Sequence, residues 1–191
     1  MSADRKAFQE KMLEKNVILV SGTVNIDMVN YIKESIGDLI CRGSPDIYLM
    51  ISSGGGNVKI GLDIIDMLNL YSGKKTAIVV NYARSMAAVI LQVCEFRVAT
   101  KHARIMIHHI SSDDVSLDIL RDKDKLAKLV ASMESDQEYL YRILSDRTGK
   151  DVSVIRDECA KDRSMSVGEA KAFGLIDEIW TKHFPWDLKI P

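Results

Sequence analysis

The sequence predicts an α/β protein. Two observations carry that reading. Short β-rich runs alternate with amphipathic helical stretches along most of the chain, and a strand–strand–helix rhythm recurs as in stacked ββα units. A third observation adds a feature to the class. Residues 118–147 form one long, charged helical stretch, with Leu126, Leu129, Met133, Leu140, Ile143 and Leu144 on one side. A helix that projects charge from most faces is hard to bury in a domain of 191 residues. It predicts either a protrusion that packs against another subunit or a plain surface helix.

The elements follow in order. Residues 16–20 are a first strand, ended by Ser21-Gly22. From Asp27 on, Val29, Ile32, Ile36, Leu39 and Ile40 recur at helical spacing, and Gly43-Ser44-Pro45 stops that helix. Residues 46–51 are a second, buried strand that leads into Ser52-Ser53-Gly54-Gly55-Gly56. Residues 58–70 are an amphipathic helix, closed by Ser72-Gly73. Residues 76–80 are a third strand, Ser85 opens a helix that runs to about Cys94, and residues 96–99 and 104–107 are two more short strands. Thr148-Gly149 ends the long helix, glycine being the usual residue just past a helix end. Residues 152–159 are a short helix, Ser166 and Glu169 form a capping box that starts another, Gly174 ends it, and residues 175–180 are the last strand.

Composition excludes several classes. Lys+Arg 26 against Asp+Glu 27 gives a net charge of -1, without the basic surplus of a nucleic-acid binder. The N-terminus is charged and no apolar run approaches the ~18 residues of a membrane span, so neither a secretory leader nor a membrane segment is expected. The expected compartment is the cytoplasm. Cys41, Cys94 and Cys159 include no Cys-x-x-Cys pair, which argues against a disulfide framework or a zinc ribbon. They read as packing or surface thiols. No cofactor and no metal site is expected.

Few residues stand out chemically. Ser53-Gly54-Gly55-Gly56 lies between a strand and a helix, where glycines let backbone N–H groups approach an oxyanion and the helix terminus adds positive partial charge. It matches neither the phosphate-loop nor the dinucleotide pattern, and its plain alternative is a flexible turn. Ser85 follows a strand at the start of an apolar helix, in Ala83-Arg84-Ser85-Met86-Ala87-Ala88. It could present Oγ as a nucleophile or serve only as an N-cap. His108 and His109 follow the apolar run Ile105-Met106-Ile107, and strand alternation turns one of them inward, where an imidazole can act as a base. His102 lies in a turn and His183 in the tail. A carboxylate is needed to orient the imidazole, but spacing does not choose among Asp162, Asp113 and Asp114.

Taken in order, these segments resemble the Clp protease proteolytic subunit family (ClpP-type serine peptidases), from about Lys11 to Ile179. Ile51-Ser52-Ser53-Gly54-Gly55-Gly56 is similar to the family's I-N-S-P-G-G segment, and Ala83-Arg84-Ser85-Met86-Ala87-Ala88 to its A-A-S-M-G-A nucleophile motif. Arg104-Ile105-Met106-Ile107-His108-His109-Ile110 is similar to R-V-M-I-H-Q-P, and residues 162–177 to the D-R-x-x-S-x-x-E-A-x-x-Y/F-G-L-I-D stretch. The resemblance implies Ser85 as nucleophile, His108 as base, Asp162 as orienting acid, and an oxyanion hole made by the backbone N–H groups of Gly55 and Met86. It implies a ClpP/crotonase-like spiral of ββα units in a single domain: a head of residues 1–110 and 151–180, a helical handle of residues 115–150 and a tail of residues 181–191. It further implies a homo-oligomer of two stacked heptameric rings, polypeptide substrates added as strands, and an AAA+ unfoldase partner of the ClpX or ClpA kind.

The chain departs from that pattern in places. Arg84 stands where a small residue precedes the nucleophile, Gly54 replaces Pro, and His109-Ile110 replaces Gln-Pro. Ser111-Ser112-Asp113-Asp114 replaces the glycine-rich segment after the histidine, and the axial N-terminal segment that contacts the unfoldase is short. Competing readings are a latent or non-catalytic ring or scaffold subunit and, further off, a crotonase-like acyl-thioester enzyme. A serine–lysine peptidase with Lys101 as base is a weaker variant.

Overall fold

The structure is a computed structural model that describes residues 3–112 and 115–181. Asp113, Asp114, His183 and the tail from residue 182 on lie outside the described residues. In chain order the elements are α1 (Ala3–Leu13), β1 (Val17–Val24), α2 (Ile26–Cys41), β2 (Ile47–Gly56), α3 (Val58–Leu70), β3 (Lys75–Arg84) and α4 (Met86–Ile90). A single 3-10 turn follows at Leu91–Val93. Next come β4 (Phe96–Thr100), β5 (Arg104–Met106), α5 (Leu117–Arg121), α6 (Lys123–Thr148), α7 (Val152–Cys159), β6 (Met165–Ser166), α8 (Val167–Phe173) and β7 (Glu178–Trp180). The α/β expectation holds. No helix among the described residues is long and apolar enough to cross a membrane.

The strands share one sheet, in the order β1-β2-β3-β4-β7, all parallel. Parallel strands covered on both faces carry continuous apolar runs, and Ile18, Val20, Leu49, Ile51, Ala77 and Val79 are fully buried. The helices supply the cover. α2 buries Met28, Val29, Ile32, Ile36 and Leu39, the one-face spacing of an amphipathic helix. Opposite β2, β3 is shared between two further partners: Thr76–Val79 pair with β4, and Tyr82–Arg84 pair with β5. β6 then closes on β5 in antiparallel register.

Several boundaries differ from expectation, each for a local reason. β1 does not stop at Ser21-Gly22. It runs on to Val24 through a register shift between Ser21 and Thr23, where Gly22 takes φ +92°. The glycine-rich segment is not a loop. Ser52 to Gly56 are the end of β2, paired to β1 through Gly56↔Val24 and to β3 through Ser53↔Ala83. The stretch over residues 118–147 is two helices rather than one, parted at Asp122. Asp122 is extended (φ -101°, ψ 109°), and its carboxylate accepts from the N–H groups of Asp124 and Lys125 as a new N-cap. The helix opened by Ser85 tightens into the 3-10 turn after Ile90. The last strand keeps only Glu178–Trp180, and α1 has no counterpart in the predicted elements.

α6 spans 26 residues, about 39 Å at 1.5 Å per residue. Only Leu140, Tyr141 and Leu144 are buried, all in its C-terminal half. Its N-terminal half has no buried residue and contacts α5, where Lys125 Nζ lies 2.6 Å from Asp118 Oδ2.

Candidate active site

The candidate residues gather where β2, β3 and β5 end. Ligand sites of parallel α/β sheets form at the carboxyl ends of strands, and here each residue arrives by its own element. β2 delivers Gly54, Gly55 and Gly56. β3 delivers Ser85 as the residue that joins it to α4. β5 leads two residues on to His108. The antiparallel pairing Arg104↔Ser166 and Ile105↔Met165 explains the arrival of Asp162. Extended by three residues, that register sets position 108 across from position 162.

Ser85 sits on a sharp turn. Its φ of +53° and ψ of -130° place it in a region that L-residues rarely adopt. The described residues include four non-glycine positions with positive φ, and Ser85 and Asp162 are two of them. Such strain concentrates at functional sites, where the surrounding structure holds it. The hold at Ser85 is visible. Its backbone N–H donates to the Met106 carbonyl at 2.9 Å, which ties it to the strand that carries His108. No hydrogen bond to Ser85 Oγ is formed among the described residues, so the side chain is not spent on capping α4.

Gly55 lies against this turn. It takes φ +90°, and a Cβ there would lie 2.9 Å from Met86 N. The two backbone groups expected to donate to an oxyanion are therefore neighbours. As the first residue of α4, Met86 has an N–H without an intrahelical acceptor. Gly55 N–H donates to Ser53 Oγ at 3.2 Å, and Ser53 Oγ in turn donates to the Gly22 carbonyl at 2.6 Å. Sequence reasoning gave the Ser53 side chain no role of its own; it is fully buried and fixes the glycine run onto β1. A serine just before the glycines was its only signal.

Ser85, Met86, His108, Gly54 and Gly56 line one cleft of about 320 Å³, together with the apolar side chains of Val58, Val89, Ile107, Ile110, Leu140 and Leu144. His108 Nδ1 faces Asp162 Oδ1 at 3.8 Å, beyond hydrogen-bond length. The His108 side chain is 22% exposed and that of Asp162 73%, so solvent screens the attraction between them. The three residues are thus brought together without closed contacts. Catalytic hydrogen bonds commonly tighten only when substrate binds.

Other candidates fall elsewhere. Arg84 neither lines the cleft nor pairs with an acid among the described residues; its guanidinium lies 5.1 Å from the Tyr82 ring centroid. Lys101 and His102 sit exposed in the turn after β4, outside the cleft lining. His109 lines the cleft beside His108, and its Nε2 lies 3.3 Å from the Arg156 carbonyl of α7. The three cysteines are free thiols. Burial pushes the Cys94 and Cys159 thiols up to about 12, so neither offers a thiolate at neutral pH. Gln137 of α6 also lines the cleft, and no sequence motif pointed to it.

Comparison with known proteins fits this geometry. Residues 2–183 match the family described as Clp protease. The chain is 31% identical over 176 residues to an ATP-dependent Clp protease proteolytic subunit of Chaetosphaeridium globosum, covering 87% of this chain and 83% of that one. It is 32% identical over 174 residues to a protein of the same name from Ligilactobacillus salivarius (strain UCC118), covering 88% and 85%. A third of that name, from Ostreococcus tauri, is 30% identical over 142 residues, covering 72% and 68%.

Proposed function

Because the chain belongs to the Clp protease family, we propose that it is a serine endopeptidase that cleaves unfolded polypeptides and peptides inside an oligomeric barrel. The observation that carries this reading is the convergence of Ser85, Met86, His108, Gly54 and Gly56 on one cleft, with Gly55 packed against the Ser85 turn.

Ser85 is the nucleophile. Its Oγ attacks the scissile carbonyl carbon while its proton passes to His108 Nε2, the ring nitrogen left free when Nδ1 faces Asp162. The carbonyl π pair moves onto oxygen, and the oxyanion accepts from Met86 N–H and from Gly55 N–H, which turns to it from Ser53 Oγ. His108 then gives its proton to the leaving amine as the C–N bond breaks. Water, deprotonated by the same imidazole, releases the acyl group and restores Ser85. Asp162 holds the tautomer and stabilises the imidazolium.

The head, handle and tail follow the bounds set out above. Two heptameric rings stack through their handles into a barrel, an AAA+ unfoldase feeds it, and the assembly works in the cytoplasm. Intact-mass measurement after treatment with a fluorophosphonate tests the chemistry. A single adduct is expected on the wild type and none on Ser85→Ala, with assembly unchanged. A folded wild type without adduct overturns the peptidase reading. That outcome favours a second one, a ring subunit without turnover, which the 3.8 Å gap between His108 and Asp162 supports.

A further inference from the structure

The segment just after His108 is held by the handle. Ile110 N–H donates to the side-chain Oε1 of Gln137 on α6. Its neighbour His109 rests edge-on against Tyr141 of α6, with ring centroids 6.1 Å apart, and reaches the Arg156 carbonyl of α7 at 3.3 Å. Arg156 packs over the Tyr141 ring at 5.5 Å and pairs with Glu138 at 2.6 Å. The two residues beside the candidate base are thereby fastened to two helices that lie outside the sheet.

Position 110 gives this contact its meaning. Where the resembling family pattern has Pro, this chain has Ile, and Ile carries a backbone donor that Pro lacks. A half-buried donor needs an acceptor, and Gln137 is the residue that supplies one. The pair also stands at a boundary. His109, Ile110 and Gln137 line both the active-site cleft and a second groove that continues along α6 past Met133 and Glu134. The open side of His108 is therefore set by how α6 sits.

We propose that Gln137 is a positioning residue for the peptidase reaction, holding the backbone at Ile110 so that the His108 imidazole stays aimed at Ser85. The proposal rests on the peptidase reading above. It assigns to Gln137 no contact with substrate or with the reacting atoms. Small displacements of a catalytic group change rate steeply, by about 10²-fold for 1 Å. The loss therefore appears in the chemical step and not in binding.

The test uses the full chain and a fluorophosphonate as probe, with the inactivation rate constant and the half-saturating concentration measured separately. Gln137→Met removes the acceptor at nearly constant shape, and Gln137→Glu keeps one. The expected result is a roughly tenfold to hundredfold fall in the rate constant for Gln137→Met, with the half-saturating concentration unchanged. Gln137→Glu is expected to restore the rate to within about threefold. Ile110→Pro closes the cycle, because it deletes the donor: in that background Gln137→Met should have no further effect. Amide exchange at Ile110 reads the contact directly, with protection in the wild type and loss in Gln137→Met.

An unchanged rate constant in Gln137→Met overturns the proposal. So does an equal fall in the Ile110→Pro background, or an Ile110 amide that exchanges freely in the wild type. A wild type that takes no label while its Ile110 amide is protected refutes the peptidase reading. It removes the positioning role with it and leaves the contact as architecture alone.

Discussion

A methyl group on Gly55 would lie 2.6 Å from the Ser85 Cβ and 2.8 Å from the Arg84 carbonyl oxygen. The second of these is backbone and cannot swing aside, and the φ of +90° is itself unfavourable for any other residue. Gly55→Ala therefore pushes β2 away from the turn that presents Ser85. The expected outcome is a folded protein whose Ser85 labels with fluorophosphonate at least about 100-fold more slowly, the scale of losing one oxyanion donor. Wild-type labelling in Gly55→Ala sinks the oxyanion role. The sequence marked this glycine as special but placed it in a turn. Its actual task, close approach between two adjoining strands, depends on the register Ser53↔Ala83, which no local pattern encodes. Ser85 and His108 were legible as candidates because Ser85 stands between a strand and an apolar helix and His108 follows the apolar run Ile105-Met106-Ile107. Asp162 was not separable from other acids by spacing. It reaches His108 through the pairing of β5 with β6, a two-residue strand too short to leave a periodic signature.

Elements were legible wherever one face is apolar. α3 and α7 fall at the predicted residues, and the capping box of Ser166 and Glu169 is formed as read. Besides the two-residue β6, two features escaped. α1 carries five charged residues in eleven, with Met12 and Gln9 buried while Phe8 stays exposed, so it shows little of the one-sided pattern that identifies a helix. The break at Asp122 escaped because apolar positions continue on both sides of it, at Leu117, Leu120, Leu126 and Leu129. An aspartate inside such a run can face solvent in a helix or cap a new one, and composition does not distinguish these. The structure makes it a cap for two N–H groups, so Asp122→Ala should loosen the start of α6. A cap of this kind contributes about 1 kcal/mol. For a domain of this size that is a Tm lower by roughly 2–4 °C. Amide exchange should rise at Asp124 and Lys125 and remain unchanged at Leu144. Uniform exchange across α6 in the variant would instead mean that the break has no structural role.

At the scale of the whole molecule, one carboxylate lies between the sheet and the end of α6. Asp177, just before β7, accepts from the Arg97 side chain at 2.6 and 3.0 Å and from the Arg97 backbone N–H at 2.7 Å. Arg147, near the end of α6, donates to the carbonyls of Cys94 and Glu95 at 2.7 Å each and lies 3.7 Å from the same carboxylate. The Arg97 side chain is only 4% exposed, so its charge depends on this partner. Burial pushes the Asp177 carboxyl up, but the hydrogen bonds and charge of Arg97, aided by Arg147, outweigh it and hold the group below its usual range. A carboxylate held low in the folded state adds stability that is complete above its unfolded pKa of about 3.9. That stability is lost as pH falls through the lower folded value. Asp177→Asn keeps the shape and removes the charge. Fully buried pairs lose about 3–5 kcal/mol when one partner goes; the Asp177 side chain is 30% exposed, so about 2 kcal/mol is expected here. At neutral pH the variant should melt roughly 4–8 °C below wild type. The gap should hold down to about pH 4 and then close as the wild-type carboxylate protonates. Glu169, held at about 2 by hydrogen bonds from Ser166 and Arg163, titrates in both proteins and drops out of the difference. Thermal melts of the pair at intervals from pH 7 to pH 2 decide it. A gap that stays constant down to pH 2 would show that Asp177 acts through shape and not through its charge.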